Sequence, residues 1–401
     1  MKRSNTILAA AFLLVLCAMA GYTLSDWQTI RTTIVDDWHA RESQSGDNLL
    51  TKLEFAADRT EGALNAALDR EHYFIQLYGG VQRLTGQRFV EDSYSYSVIR
   101  MNNGSLTFGS IGQEQKDVTH NAEATAAFAA ALAEQGIPFT AVMTPQKVPY
   151  DTDSVPAALK DYHNEEADRF LYHGAAFGVD FVDLRHDMGQ DLTPYFFVTD
   201  HHWNADGAFL GNQIMTRRLA EKYGFTPFEP GLEEGNFARQ VYPDLFLGSQ
   251  GKRVGTLYAG VDDFVLYSPE FATHLTYQVS ETAAPRTGTL NEALYFKEHL
   301  VQDWFNGNPY VTFAGGDFGK ATVTNHSNPD GPKVVMIRDS FGCAITPFFA
   351  LQCSSLTTMD LRAYKGDDLL GDIVGMEPDF VVLLYSPSTT VTDSMFDFRM
   401  N

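Results

Sequence analysis

Three side chains in two short segments have the types and the order that acyl-transfer chemistry requires. Asp200 and His202 are two residues apart in the string TDHHWN (199–204), and Ser340 lies in the string RDSFG (338–342). In an extended segment, residues two apart project to the same side, so Asp200 could accept a hydrogen bond from one nitrogen of His202. The other nitrogen could take the proton of Ser340, since a serine is a weak nucleophile without a base. The sequence therefore predicts a Ser-His-Asp triad.

Each segment also admits another interpretation, and the residues alone leave these open. A serine at the start of a helix is often only an N-cap. Arg338 also stands where the Gly-x-Ser-x-Gly turn of common α/β hydrolases has its first glycine. His201 and His202 could instead bind a metal ion beside Asp200. Alternatively, the loop could be purely structural, with its aromatic side chains packed in the core and Asp200 capping the next helix.

The elements that must position these side chains alternate between short apolar runs and helical patterns. The runs predicted as strands are 138–143, 179–184, 334–337, 356–361 and 380–385. This rhythm is typical of βα units around a buried parallel sheet, and it predicts an α/β fold with a doubly wound, mostly parallel sheet. Because the carboxyl ends of parallel strands share one edge, we expect the strings 143–147 (MTPQK), 199–204 and 338–342 to converge there.

The chain is predicted to have three parts around this plan. Residues 1–24 are a signal peptide or membrane anchor, residues 25–120 a helical lead-in, and residues 121–401 the α/β domain. Within the last part, the stretch 225–332 loses the βα rhythm. It is rich in Pro, Gly and aromatic residues, and too aromatic to be disordered, so it is predicted to be a β-rich insertion.

The N-terminus indicates export from the cytoplasm. Lys2 and Arg3 precede the uncharged apolar run 7–20, and the string AMA (18–20) has the form of a signal-peptidase site. With residues 21–24 added, the run approaches the length of a membrane-spanning helix, so a cleaved signal and an uncleaved anchor both remain open. We expect an extracytoplasmic protein that touches the membrane only through residues 7–24.

Composition argues against nucleic acid as a partner and leaves a possible disulfide undecided. The chain has 51 acidic and 29 basic residues, a formal charge of −22, which argues against binding to nucleic acid because phosphates are neutralised by Lys and Arg. Cys343 and Cys353 are ten residues apart. In an exported protein they could form a disulfide, but two buried thiols are the expected state.

The string DHHW (200–203) matches the signature of the DHHW protein family. The chain also resembles the SGNH hydrolase-like domain of alginate O-acetyltransferases of the AlgX and AlgJ kind, over roughly residues 121–385. In those proteins an Asp-x-His motif precedes a C-terminal nucleophilic serine, and this chain has the same order. The resemblance implies that Asp200 orients the base, that His202 is the base and that Ser340 is the acetylated nucleophile.

The resemblance also implies a function and further site residues. It indicates a serine O-acyltransferase that acetylates a cell-surface or secreted polysaccharide, receives its acyl group through a membrane-bound O-acyltransferase, and needs no metal or organic cofactor. Lys147 would lie near the site and help to bind substrate or oxyanion, unless it is a solvated loop lysine. Gly315 and Gly316 would bring a backbone N–H to the carbonyl, or simply form a turn. Independently of the resemblance, the aromatic Trp203 could be a platform for a sugar ring, or part of the core.

Two other functions are compatible with the same residues. An esterase would use the same triad, with water in place of the acceptor sugar. A non-catalytic polysaccharide-binding or assembly protein could retain the scaffold without the chemistry. We expect the insertion 225–332 to shape the acceptor groove, because long additions to such scaffolds are often functional.

Overall fold

The computed structural model describes residues 72–91, 97–109, 114–149, 154–156, 159, 161–189, 191–279 and 283–400, with isolated positions before residue 72. The predicted signal peptide or anchor, residues 1–24, lies almost wholly outside them. Among the described residues, no helix combines the length and the apolar character that crossing a membrane requires. The chain divides into two compact units, 1–81 and 82–401, and the second contains all the strands and helices named below except the first helix.

Helices and strands occur along the described chain from residue 73 to residue 385. The helices are α1 (Tyr73–Leu84), α2 (Thr119–Glu134), α3 (His163–Ala176), α4 (Leu184–Asp187), α5 (Ala205–Tyr223), α6 (Ser249–Val254), α7 (Thr256–Ala259), α8 (Leu290–Leu294), α9 (Phe341–Phe349) and α10 (Leu369–Gly375). The strands are β1 (Phe89–Glu91), β2 (Ser97–Arg100), β3 (Leu106–Gly109), β4 (Phe139–Met143), β5 (Phe181–Asp183), β6 (Phe237–Phe246), β7 (Asp262–Pro269), β8 (Leu275–Gln278), β9 (Arg286–Gly288), β10 (Ala321–Asn325), β11 (Lys333–Arg338), β12 (Ser355–Met359) and β13 (Phe380–Tyr385).

An eight-stranded sheet with the order β5-β4-β13-β11-β12-β10-β8-β9 forms the centre of the fold. The first five strands in this order are parallel. The last three pair antiparallel, and β10 is antiparallel to β12. The predicted α/β fold with a mostly parallel sheet is therefore confirmed. The registers align Met143 with Tyr385 and Arg338 with Leu384, so β4, β13 and β11 end at one edge.

The central strands are buried on both faces, which explains why their sequences are apolar throughout. In β11, Val334 and Met336 join the core under α5 and α9, while Val335 and Ile337 join the core under α2, α3 and α10. The strand β13 alternates between the two cores in the same way. The two helical layers hold the sheet between them, and the end of β11 lies in the middle of its parallel part.

Two regions outside the parallel sheet also contain strands. The stretch 225–332 contains β6 to β10, of which β6 and β7 form a separate ribbon while the other three extend the central sheet. Residues 89–109 form the small antiparallel sheet β1-β2-β3, within the part predicted to be a helical lead-in. That part is therefore not wholly helical. Its short strands are stabilised by contacts from far along the chain, since Val98 and Leu106 cluster with Val254 and Tyr258.

Candidate active site

The loop 196–204 carries the Asp-x-His pair and is closed on itself like a small hairpin. Phe196 forms a β-bridge with Trp203, and the N–H of Asn204 donates to the carbonyl of Tyr195 at 2.9 Å. The side chain of Asn204 caps α5 by accepting from the N–H of Gly207. The sequence predicted that this loop directly follows a strand, and this prediction is wrong. The helix α4 and the 3-10 helix Thr193–Tyr195 come between β5 and the loop.

The structure brings the three predicted catalytic side chains into one hydrogen-bonded line. Nδ1 of His202 lies 2.5 Å from Oδ1 of Asp200, and Nε2 of His202 lies 2.7 Å from Oγ of Ser340. Ser340 stands at the N-cap of α9, yet its side chain makes no capping hydrogen bond. The hydroxyl therefore faces the imidazole, and the line has the order of a serine nucleophile, a base and an orienting carboxylate.

The carboxylate of Asp200 is held by backbone as well as by the imidazole. Its Oδ1 also accepts from the N–H of His202 at 3.0 Å, and its Oδ2 accepts from the N–H of Ser249 at 2.7 Å. Burial alone would favour the neutral acid, but the nearby His201 and His202 and these hydrogen bonds hold the pKa of Asp200 well below its usual range. The carboxylate is thus ionised at neutral pH and can stabilise a protonated His202.

The small size of Gly248 lets the backbone N–H of Ser249 approach the carboxylate of Asp200. Gly248 was not among the site residues predicted from the sequence. A Cβ on Gly248 would lie only 2.6 Å from the Cα of Asp200. Its φ of −76° is available to any residue, so contact with Asp200 and not backbone conformation requires glycine here.

Gly248→Ala is expected to lower kcat for an acetyl ester by about 100-fold, because displacing Asp200 by a fraction of an ångström misaligns the whole line. Gly235→Ala is the matched control, since a Cβ there meets no atom within 4 Å. Steady-state kinetics of both variants would check this. Equal rates for the two variants would show that the loop adjusts without cost.

Two aromatic rings pack on the imidazole of His202. The ring of Tyr310 stacks at a centroid distance of 4.0 Å with an interplanar angle of 15°, and the ring of His201 lies at 3.8 Å. The hydroxyl of Tyr310 also donates to the carbonyl of Ser340 at 3.0 Å. Tyr310 comes from the stretch 225–332, so this stretch contributes directly to the site.

Tyr310→Leu is expected to lower kcat about 10-fold, because the imidazole loses a stacking partner and can tilt away from Ser340. Tyr310→Phe keeps the ring and removes only one hydrogen bond, so its kcat should remain within about threefold of the wild type. Steady-state rates of ester turnover distinguish the two effects. Identical rates for the two variants would rule out a role for the ring.

The turn that presents Ser340 is fixed by its neighbour Asp339, which sequence reasoning also missed. Oδ1 of Asp339 accepts from the N–H of Phe341 at 2.9 Å. Its Oδ2 accepts from the N–H of Ser386 and the hydroxyl of Thr389, both at 2.7 Å. Asp339 thus provides the helix cap that Ser340 does not, and it ties the end of β11 to the segment after β13.

Arg338 is buried beneath the same turn in an ionic cluster. Its guanidinium bonds Asp317 and donates to the carbonyl of Gly316 at 2.8 Å. Asp317 also pairs with Arg362 at 3.0 Å. Gly315 and Gly316 have φ of 75° and 94°, so they form a left-handed turn that brings these acceptors to Arg338. The N–H of Gly316 donates to the carbonyl of Phe313. This N–H is therefore unavailable for the oxyanion role suggested from the sequence.

Two other predicted binding residues occupy positions that do not suit contact with substrate. Trp203 is fully buried, and its Nε1 donates to the carbonyl of Phe341 at 3.0 Å, so it is a core residue and not a platform for sugar rings. Lys147 is only 7% exposed, and its Nζ donates to the carbonyls of Val198 and Asp200, both at 2.8 Å. Lys147 is therefore not a solvated loop lysine, and its Nζ is directed at the backbone of the loop. Cys343 and Cys353 are free and buried, as expected.

Asp200, His201 and His202 are also close enough to hold a metal ion, with one potential ligand atom from each within 4.8 Å of the others. Their hydrogen bonds favour the triad instead. Both ring nitrogens of His202 are engaged, one by Asp200 and one by Ser340. Nδ1 of His201 lies 2.9 Å from the hydroxyl of Ser249. A metal ion would have to displace several of these contacts.

The fold and the triad geometry define an SGNH hydrolase-like protein, and comparisons with known proteins agree. Residues 109–317 match the family described as the SGNH hydrolase-like domain of acetyltransferase AlgX. The chain belongs to this family of SGNH-like O-acetyltransferases. The match contains Asp200 and His202 and ends before Ser340.

Solved structures show the same fold. Bacillus cereus PatB1 is 22% identical with a TM-score of 0.63, and the alignment covers 76% of this chain and 100% of that one. A DHHW family protein from Eubacterium siraeum is 16% identical with a TM-score of 0.58, covering 78% and 99%. No curated protein matches the chain. At these identities the likeness to solved structures establishes the SGNH-like fold and not a substrate.

Proposed function

We propose that this chain is an extracytoplasmic serine O-acyltransferase that moves acetyl groups onto hydroxyls of a cell-surface or secreted polysaccharide. The observation that carries the proposal is the line from Asp200 through His202 to Ser340, with distances of 2.5 and 2.7 Å. Membership of the O-acetyltransferase family favours an acetyl group as the unit transferred.

The first half of the reaction transfers the acetyl group to the enzyme. Nε2 of His202 takes the proton of Ser340 while Oγ attacks the acyl carbonyl of the donor. Asp200 stabilises the imidazolium that forms. The positive end of the α9 dipole lies at Ser340 and favours the negative charge that develops on the carbonyl oxygen. His202 then returns the proton to the leaving group, and the acetyl group remains as an ester on Oγ.

The second half repeats these steps with an acceptor. His202 takes the proton of an acceptor hydroxyl, the hydroxyl oxygen attacks the acetyl carbonyl, and the proton passes to Oγ as Ser340 leaves. Water in place of the sugar would give hydrolysis. Transfer therefore requires that the acceptor occupy the site and keep water out.

Export and the donor partner belong to the same proposal. The apolar run 7–20 after Lys2 and Arg3 supports a location outside the cytoplasm, either free or anchored through residues 7–24. An acetyl donor outside the cytoplasm has to be supplied across the membrane, which supports a membrane-bound O-acyltransferase as the partner.

The test supplies an acetyl ester with and without a panel of bacterial polysaccharides, and measures both free acetate and polymer-bound acetyl. The proposal predicts polymer-bound acetyl with at least one polysaccharide, and none with Ser340→Ala. Acetate release that is unchanged by every polymer, without polymer-bound acetyl, would indicate an esterase. Neither product, with polymer binding intact in Ser340→Ala, would indicate a binding protein.

A further inference from the structure

The segment 198–200 is held from two sides by opposite charges. Nζ of Lys147 donates to the carbonyls of Val198 and Asp200, both at 2.8 Å. The carboxylate of Asp262 accepts from the N–H groups of Val198 at 2.7 Å and Thr199 at 2.8 Å, and from the hydroxyl of Thr199 at 2.5 Å. Lys147 therefore binds two carbonyl groups of the segment 198–200, and Asp262 binds two N–H groups of the same segment.

Both charged side chains are almost completely buried, Lys147 at 7% and Asp262 at 8% exposure. Burial lowers the pKa of Lys147 to about 7, against the opposing effect of Asp262 and Asp200. Burial also raises the pKa of Asp262, against its hydrogen bonds and the charge of Lys147. Burying a charged side chain costs free energy unless the charge is compensated. Two such side chains bonded to one short loop therefore indicate that the geometry of this loop is fixed.

The two clamping residues come from different parts of the fold and act on the residue that orients the base. Lys147 follows β4 of the central sheet, and Asp262 begins β7 in the stretch 225–332. The hydroxyl of Thr199, which donates to Asp262, also accepts from the N–H of Gly248 at 2.8 Å. Gly248 precedes Ser249, whose N–H binds Asp200. The loop and its neighbouring donor are thus fixed together.

We infer that Lys147 and Asp262 are positioning residues that fix the backbone of 198–200, so that Asp200 holds His202 in line with Ser340. The inference rests on the proposed function, because it assigns these residues to the catalytic geometry of that site. Both side chains form their hydrogen bonds with the loop 198–200. Their effect acts through the position of Asp200 and should appear in kcat more than in KM.

The test compares Lys147→Met, Asp262→Asn and the double variant. Each single variant removes one of the two opposite charges that hold the segment and leaves the other buried, so both the melting temperature and kcat are expected to fall. The double variant removes both of these charged side chains and should regain most of the melting temperature. Its kcat for an acetyl ester should stay about 10- to 100-fold below the wild type, with KM within about threefold, because the carbonyls of 198 and 200 lose their donor.

One further readout and one control variant separate positioning from stability. The far-downfield proton resonance given by the short hydrogen bond between Asp200 and His202 should be present in the wild type and lost or broadened in the double variant. Lys222→Met is the control, since Nζ of Lys222 pairs with Asp180 at 2.7 Å and Lys222 lies near the C-terminus of α5, about 25 Å along the helix from the end that follows this loop. Its kcat should stay within about threefold of the wild type.

A double variant with wild-type kcat and an unchanged downfield resonance would show that Lys147 and Asp262 do not position Asp200. That result would leave the proposed function in place. A wild type without ester turnover or modification of Ser340 would overturn both.

Discussion

Ser340→Ala is expected to lower acetyl-ester turnover by about 10⁶-fold, the size of the loss found when the nucleophile of a serine protease is removed. The variant keeps the line from Asp200 to His202 but has no oxygen to carry the acetyl group. The fold should be unaffected, because the side chain of Ser340 makes no capping bond to α9 and Asp339 caps that helix instead. Steady-state kinetics together with a thermal melt would check both statements.

Ser327→Ala is the control for this change, since Ser327 is exposed and its hydroxyl only accepts from the backbone N–H of His274. Its rate should equal that of the wild type. If Ser340→Ala retained more than a tenth of the wild-type rate, Ser340 would not be the nucleophile.

Asp200→Asn is expected to lower kcat by about 10³- to 10⁴-fold with little change in the fold, as the same change does in serine proteases. The carboxylate accepts three hydrogen bonds, from the N–H and Nδ1 of His202 and from the N–H of Ser249. An asparagine has one acceptor oxygen and an amide donor. If the NH₂ group of the asparagine faces Nδ1, the imidazole proton moves to Nε2, and His202 can no longer take the proton of Ser340.

The alternative orientation of that amide would place its NH₂ against the N–H of Ser249, which would displace the loop at Gly248. Both orientations reduce kcat. The measurement is the rate of acetylation of Ser340 in a single turnover, compared with Asp206→Asn as a control carboxylate on the first turn of α5. A rate for Asp200→Asn within tenfold of the wild type would show that Asp200 does not orient the base.

The positions of Asp200, His202 and Ser340 near one another could be predicted from the sequence, because each lies in a recognisable place, while their catalytic roles stay a prediction. The run 334–337 predicts a buried strand, and Ser340 follows its end. The spacing of Asp200 and His202 predicts that they share a side. What the pattern could not show is that 196–204 is a self-closed loop, since the bridge between Phe196 and Trp203 is a pairing of two irregular segments.

Most of the supporting residues could not be found from local patterns, because they reach the site from distant segments, whereas Asp339 adjoins Ser340. Tyr310 and Gly248 both lie in 225–332, where the positions of the strands depend on tertiary contacts. Arg338 was noticed only as a departure from the usual hydrolase turn, and its partner Asp317 is more than twenty residues away. A single sequence carries no signal that links such residues.

Two residues were placed near the site correctly, but with the wrong orientation. Lys147 follows the end of β4 as predicted, yet its side chain turns under the loop 198–200 instead of toward substrate. Trp203 adjoins His202 in sequence, yet its ring is buried against Phe341. A strand end fixes where the backbone lies, while the direction of a side chain depends on which neighbours can accept its hydrogen bond.

Intact-mass spectrometry tests most directly whether Ser340 carries the acetyl group and whether His202 activates it. The protein from residue 24 to 401 is exposed to a generic acetyl ester beside the variants Ser340→Ala and His202→Ala. We predict one acetyl adduct that maps to Ser340 in the wild type and is absent from both variants. An adduct at another residue, or equal acetylation of the wild type and both variants, would contradict these roles.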